Sequence, residues 1–232
     1  MIERGPLIGS GRDADIYDLG DGKVLRVARN GRSLAAEAAV MAHAHAHGAP
    51  VPAVHGVTGD GAVVMDRLSG PSMLEHLRVR PWQVRAAART LVRLHDAVHQ
   101  VPAPAGLASV GLPGDRLVHL DLHPMNVIMT ADGPTLIDWS NARSGPPAAD
   151  HAMTWILLAT GEIEAPAPLR AALNVLRPLL VRRFLGAYGR DAVKAALPVI
   201  VDRKLADPNL TPAEAERIHA LLRRANAVDS PG

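Results

Sequence analysis

Two short stretches concentrate the oxygen-bearing side chains of this chain. One is His119-Leu-Asp-Leu-His-Pro-Met-Asn126 and the other is Leu136-Ile-Asp138-Trp139. Asp121 supplies a carboxylate able to take a proton from a hydroxyl nucleophile. Asn126 and Asp138 are hard oxygen ligands of the kind Mg²⁺ prefers together with phosphate oxygens. A competing chemistry uses the same region, with His119, Asp121 and His123 as Zn²⁺ or Mn²⁺ ligands in a metal-dependent hydrolase. That reading wants further downstream histidines, and only His151 and His219 are present.

The surrounding residues say how these groups would be positioned. His123-Pro124 stops any helix, because proline pushes the residue before it out of the α region. Leu117-Val118 and Val127-Ile128-Met129 are short apolar runs of strand character. Asp132-Gly133 is a hairpin signal, and Pro134–Ile137 reads as the returning strand. A loop and a hairpin then hold Asp121 and Asn126 at one end, and Asp138 comes back to that same end.

An Asp-x4-Asn pair followed by a distant Asp is the arrangement of kinase catalytic loops. With His-x-Asp-x-His-Pro, the Asp-Trp pair and the later Gly145-Pro-Pro-Ala-Ala-Asp150, the segment resembles the aminoglycoside phosphotransferase and choline-kinase-like family. That family's loop reads roughly His-Gly-Asp-Leu-His-x-x-Asn; here Leu120 stands in place of the glycine, and Trp139 where protein kinases have phenylalanine. The resemblance implies that Asp121 is the catalytic base, that Asn126 and Asp138 are metal ligands, and that Asp150 braces the catalytic loop. His119 and His123 would support the loop.

It also implies an α+β, protein-kinase-like two-lobe fold. Residues 1–65 would form a nucleotide-binding lobe, a small antiparallel sheet plus one helix. Residues 66–70 would connect to a larger, mostly helical lobe over 71–232, carrying the catalytic loop 119–126 and Asp138. Strands are expected over 7–11, 16–19 and 24–28, with Asp21-Gly22 as a two-residue hairpin turn. Gly9, Ser10 and Gly11 precede the second strand, where a loop could cover phosphates, although Ala14 replaces the third glycine of the usual pattern. Arg26 falls where kinases carry a phosphate-contacting lysine on the third strand. It keeps the charge but is longer and forked.

Ser33 reads as the N-cap of a helix over 33–47, with Leu34, Ala38, Met41 and His45 on one face and Glu37 beside it, placed to pair with Arg26. His43, His45 and His47 read as a surface face rather than a metal site, since their neighbours are alanines. Pro50–Val54 and Ala62–Met65 read as two more strands. Asp66 and Leu68 are the positions whose backbone would face the adenine edge, from the alternation of an extended chain. Helices follow over Ser72–Arg78, Pro81 to about His99, Ala152–Thr160, Pro168–Tyr188, Asp191–Leu205 and Thr211–Ala227. The second of these carries Val84, Ala88, Leu91, Val92, His95 and Val98 as its apolar stripe, with His95 a packed core histidine. Pro178 and Pro198 are expected to kink or interrupt their helices.

Composition bounds the remainder. The chain has 232 residues, 48% of them hydrophobic but only 3% aromatic, so its core must be built from Leu, Val, Ile and Ala. A net charge of +2 with interspersed signs offers no nucleic-acid stripe. No cysteine is present, which excludes disulfides and thiolate metal sites. No apolar run reaches the roughly 18 residues of a membrane span, and the N-terminus lacks a signal-peptide apolar region, so a cytoplasmic protein is expected. The expected activity is transfer of the terminal phosphoryl group of ATP or GTP, with Mg²⁺, to a hydroxyl of an aminoglycoside-like or other small acceptor. Antibiotic resistance is one of the roles this allows. A catalytically silent kinase-like binding protein is the alternative. No acidic cluster marks a polycation pocket: Glu162, Glu164, Asp191, Asp202, Asp207, Glu214 and Glu216 are outnumbered by basic residues after Asp150.

Overall fold

The computed structural model describes residues 3–11, 13–162 and 167–227. Its first part is a five-stranded antiparallel sheet: β1 (Leu7–Ser10), β2 (Ala14–Gly20), β3 (Lys23–Ala28), β4 (Val54–Val57) and β5 (Val63–Asp66), in the order β1-β2-β3-β5-β4. Asp21 and Gly22 both have positive φ, 48° and 71°, as the tight β2–β3 hairpin requires. Helix α1 (Ala35–Ala46) crosses between β3 and β4.

Here the N-terminal readings need adjustment. The N-cap is Leu34, not Ser33; the Ser33 hydroxyl instead accepts from the Ala35 N–H at 3.2 Å. The strand expected over Pro50–Val54 begins only at Val54, because two prolines in three residues withhold ladder donors. Leu34, Ala38 and Met41 are buried, but His45, at the last turn of that face, is exposed. Leu34 and Ala38 join Ala28 and Val63 in a small core under the sheet, while Val40, Met41 and Ala44 belong to the large core. One helix therefore ties the sheet to the rest of the molecule.

The second part begins at α2 (Met73–Val79), opened by a capping box in which Ser72 and Glu75 satisfy each other's backbone N–H groups. A 3₁₀ turn, Pro81–Gln83, leads into α3 (Val84–Gln100). Every residue of its expected stripe is buried except Val92, which packs on the core edge. Strands β6 (Arg116–Val118), β7 (Val127–Thr130), β8 (Gly133–Leu136) and β9 (Arg143–Gly145) form two antiparallel pairs, β6–β9 and β7–β8. Strand β9 is unforeseen; Arg-Ser-Gly has no apolar alternation to announce it.

Helices α4 (Pro147–Thr160), α5 (Ala167–Leu185), α6 (Arg190–Leu205) and α7 (Pro212–Ala227) complete the fold. Helix α4 starts five residues before its expected start, with proline at its first turn, which lacks only an N–H that has no helical partner there. Pro178 and Pro198 lie inside α5 and α6 without ending them. Thr211 and Glu214 make a second capping box. Phe184, Ile156, Leu197, Ile200 and Ile218 are fully buried among these helices. No helix among the described residues is long and apolar enough to cross a membrane.

Candidate active site

The loop between β6 and β7 is held from behind. Leu120 has φ of 59°, the left-handed region that costs a side-chain-bearing residue about 1–2 kcal/mol. Asp150, from the first turn of α4 and fully buried, fixes it there. Its Oδ2 accepts the His119 N–H at 2.8 Å and its Oδ1 the Leu120 N–H at 2.8 Å. The His99 Nε2–H adds a third bond at 3.1 Å, and His95 Nδ1 stands at 3.7 Å. Burial works against the charge on Asp150, but the N–H donors around it, from His99, His119 and Leu120, outweigh it and hold the carboxyl well below the usual carboxylate range.

His119 spends both ring nitrogens on backbone. Nδ1 accepts the Asp121 N–H at 3.2 Å, and the Nε2–H donates to the Ile137 carbonyl at 3.2 Å. Its ring meets Trp139 edge-on at 4.7 Å. Burial pushes its pKa down, against the pull of the Asp150 and Asp121 carboxylates. A ring so engaged is not a free metal ligand, which removes the hydrolase set His119, Asp121 and His123.

Asp121 emerges from this loop with its side chain 22% exposed. The Asn126 amide donates to Asp121 Oδ2 at 2.9 Å and to the Asp121 carbonyl at 3.0 Å. That use of Nδ2 turns the Asn126 side-chain carbonyl into its remaining polar function. His123 Nδ1 accepts from the Met125 N–H, so its Nε2–H faces Asp121 Oδ1 at 3.5 Å.

Asp138 follows β8 with φ of 63°, an uncommon value outside glycine. The Ser140 hydroxyl donates to its Oδ1 at 2.8 Å. Next to it, Trp139 is buried, and its backbone N–H donates to Glu37 Oε1 at 3.2 Å. The same Glu37 oxygen takes the Nη1 of Arg26 in a short ion pair. Arg26 Nη2 lies 4.0 Å from Asp138 Oδ1. Glu37, only 3% exposed at its side chain, therefore joins the sheet, α1 and the Asp138 turn. Arg32 approaches its other oxygen at 4.0 Å.

A cavity of about 340 Å³ lies between the sheet and the β7–β8 hairpin. Gly11, Arg26, Asp66, Leu68, Asn126 and Asp138 all line it, as do apolar Val24, Met65, Ile128 and Ile137. Gly9, Ser10, Glu37 and Asp121 do not. Ser10 instead donates to Asp15 at 2.6 Å, Glu37 stands behind Arg26, and Asp121 is joined to the cavity through Asn126. Neither Gly9 nor Gly11 has positive φ, and a Cβ on either would make only ordinary contacts, 3.7 Å to Ile16 and 3.5 Å to Ala14. The local backbone does not demand glycine at either position.

The side chain of Asp66 turns away from the opening, accepting from the Ala53 N–H at 3.0 Å and bonding His55 at 2.7 Å. Its backbone is what remains for a ligand. Gly70 ends this connection; a Cβ there would sit 2.1 Å from the Met129 carbonyl, so β7 approaches too closely for any side chain. Two other cavities, about 540 and 530 Å³, hold none of the residues singled out for phosphoryl transfer. Ser140, Thr154 and His99 are the supporting residues that sequence reasoning missed. Only Ser140 had a local signal, a hydroxyl two residues after an Asp.

With this geometry in place, comparison with known proteins decides the family. The model of the phosphotransferase enzyme family matches residues 5–115 and 103–192. The chain belongs to that family. None of the curated protein sequences matches it. Among solved structures, this phosphotransferase-family chain is similar to a choline/ethanolamine kinase family protein from Mesorhizobium loti, at 19% identity and TM-score 0.53, over 98% of this chain and 89% of that one. It is similar to APH(2")-IIa in a ternary complex with streptomycin and ATP, at 14% identity and TM-score 0.57, covering 96% and 92%. It is also similar to the ADP-bound aminoglycoside phosphotransferase APH(2'')-Ib, at 13% identity and TM-score 0.58, covering 97% and 94%. At these identities the likeness establishes a protein-kinase-like fold.

Proposed function

We propose that this chain is a small-molecule kinase that transfers the terminal phosphoryl group of ATP or GTP to a hydroxyl of an aminoglycoside-like or other small acceptor. The observation that carries the reading is the convergence of Arg26, Asn126 and Asp138 on one cavity, with Asp121 bonded to Asn126. Residues 1–65 and 71–232 would act as the two lobes, joined at 66–70. The base would lie against Val24, Met65, Ile128 and Ile137, with backbone groups of Asp66 and Leu68 at its edge. Gly9, Ser10 and Gly11 would cover the phosphates.

Asn126 and Asp138 fit Mg²⁺, being hard oxygen donors that face one cavity, with the Asn126 amide nitrogen already engaged. When bound, the ion would neutralise phosphate charge. Arg26, oriented by Glu37, would carry the rest of that neutralisation. Asp121 would orient the acceptor hydroxyl and take its proton as the acceptor oxygen bonds to the γ-phosphorus and the bond to the β-phosphate oxygen breaks.

Among the described residues after Asp150, three of the acids that could attract a polycation are already engaged. Glu162 pairs with Arg217, Asp207 with Lys204, and Glu214 with the Thr211 cap. Glu164 lies outside the described residues. One observation favours a silent nucleotide binder: Arg26 leans on Asp138, the carboxylate a metal would need.

A panel of hydroxyl acceptors with ATP and GTP, measured on wild type, Asp121→Asn and Asp138→Ala, separates the two readings. The kinase reading expects acceptor-dependent turnover that falls at least about 100-fold in Asp121→Asn, the scale of a lost general base. Nucleotide binding without turnover in wild type would establish the binder. Turnover indifferent to both substitutions would overturn the site.

A further inference from the structure

Behind the catalytic loop lies a set of histidines that phosphoryl transfer does not use. His95 and His99 are one turn apart on α3, and His151 follows Asp150 on α4. One ligand atom from each histidine lies within 4.8 Å of those of the other two; among the described residues this is the one such group. All three are more than nine-tenths buried, with exposures of 0%, 8% and 6%.

Counting protons exposes what the cluster lacks. The Thr154 hydroxyl has one hydrogen, and it donates this to the Leu122 carbonyl at 2.8 Å. Toward His95 Nε2, at 3.0 Å, it is therefore an acceptor, and the hydrogen between them belongs to His95. In the neutral ring that leaves Nδ1 as a bare lone pair. Nδ1 has no hydrogen-bond partner, and it faces another acceptor, Asp150 Oδ2, at 3.7 Å. His151 Nε2 is also buried without a partner. A lone pair on His95 Nδ1 facing a buried carboxylate, with a second unpartnered nitrogen on His151, is unfavourable unless a cation is supplied.

Three nitrogens within 4.8 Å of one another are close enough to converge on one ion, with the fourth position left to water. Arms of about 2.05 Å, typical of Zn²⁺ with nitrogen and oxygen ligands, give a ligand–ligand edge of about 3.4 Å. Asp150 Oδ2, 3.1 Å from His99 Nε2 and 3.7 Å from His95 Nδ1, sets a negative charge beside the three nitrogens. Imidazole ligands select Zn²⁺-class ions over Mg²⁺ or Ca²⁺. Tyr188 stacks on His151 with ring centroids 3.5 Å apart, which fixes the ring. A cavity of about 530 Å³, lined in part by Asp96, His99 and His151, opens beside the cluster and gives an ion a way in.

We propose that His95, His99 and His151, beside the Asp150 carboxylate, form a structural site for a Zn²⁺-class divalent ion, which clamps α3 to α4 behind the catalytic loop. Binding keeps all three rings neutral, His99 moving its proton from Nε2 to Nδ1, so no proton is released. The site is independent of the kinase reading and survives its failure.

The test is Zn²⁺ binding to chelator-stripped protein, followed by metal analysis after dialysis and by thermal unfolding. Wild type should retain one equivalent and melt higher with Zn²⁺. Asp138→Asn should retain that equivalent too, which separates this site from the nucleotide cavity. His151→Leu and His99→Gln should each weaken binding by about 100-fold or more, at least what supporting partners of metal ligands are worth. Co²⁺ in wild type should give the intense visible bands of a tetrahedral ion. No stoichiometric Zn²⁺ in wild type, an octahedral Co²⁺ spectrum, or full binding in both histidine variants would each overturn the proposal. The first two need no variant to fold.

Discussion

Replacing Asp150 by asparagine isolates the brace behind the catalytic loop with almost no change of shape. In wild type the buried carboxylate takes the His119 and Leu120 N–H groups at 2.8 Å each and His99 at 3.1 Å. An amide keeps one acceptor oxygen. With its oxygen at the Oδ2 position it still serves His119 and His99, and it sets its own NH₂ against the Leu120 N–H. A hydrogen bond to a charged group contributes about 1.5–3 kcal/mol, and a buried donor left unsatisfied costs about 1–3 kcal/mol. One bond lost with its orphaned donor, and two reduced to neutral strength, sum to about 3–5 kcal/mol without counting the same group twice. That is a large share of the roughly 5–15 kcal/mol of a typical domain. Urea unfolding in chelator, at pH 7, measures it. Because the folded carboxyl lies well below its unfolded value of about 3.9, its contribution is complete above that value and is lost only as pH falls through the folded one. The carboxyl itself should therefore not close the gap between wild type and variant from about pH 8 to 5, and the loss of its pull on His95 and His151 can only widen it toward the acid end. A gap under about 1 kcal/mol with unchanged denaturant dependence refutes the reasoning, as does a gap that closes between about pH 7 and 5.

Three further outcomes follow from contacts elsewhere. Glu37→Gln leaves an oxygen for the Trp139 N–H but removes the charge facing Arg26; we expect about 2–4 kcal/mol of lost stability and about a tenfold rise in nucleotide KM, and unchanged kinetics would remove Arg26 from the phosphate site. Gly70→Ala forces a Cβ to 2.1 Å from the Met129 carbonyl at φ of 150°. It should cost about 3 kcal/mol or more, and an unaltered melting temperature would contradict the close approach. Ser72→Ala removes the cap of α2 and should cost about 1 kcal/mol at pH 7. The Ser72 N–H and hydroxyl hold the Glu75 carboxyl below its usual value, so that difference should narrow as pH falls below about 4, and persistence of the full difference in acid would argue against the box.

The positions of the chemical groups were legible where sequence and local geometry are tightly coupled. His-Pro, Asp-Gly and alternating apolar residues place Asn126 and Asp138 on a common cavity because each dictates backbone within a few residues. The Arg26–Glu37 pair was legible only through resemblance, since eleven residues and a chain crossing separate its members. What stayed hidden depends on partners distant in sequence. Strand β9 exists because Arg143–Gly145 finds β6, not because of its own residues. The Asp66 side chain is diverted by His55 and Ala53, which no local pattern announces. His99 and His151 meet only because α3 and α4 pack. Pro178 and Pro198 do not interrupt α5 and α6, which run on past them.

Leu120 and Asp138 share a feature that connects these observations. Both carry side chains at positive φ, 59° and 63°, and both adjoin a group proposed to do chemistry. Neither conformation is cheap, so each has to be held by something the loop itself does not contain. For Leu120 the restraint is Asp150 on α4, bonded to its N–H. At the Asp138 turn it is Glu37 on α1, bonded to the next N–H, while Ser140 fixes the carboxylate. Each restraint is a buried carboxylate that binds backbone on one side and a cationic or imidazole group on the other. The loops at the cavity thus inherit their geometry from two helices in different parts of the chain. Replacing the family's glycine by leucine at 120 is tolerable on the same account. The side chain is 2% exposed, and the roughly 1.5–3 kcal/mol that burying a leucine is worth offsets the roughly 1–2 kcal/mol of its left-handed backbone.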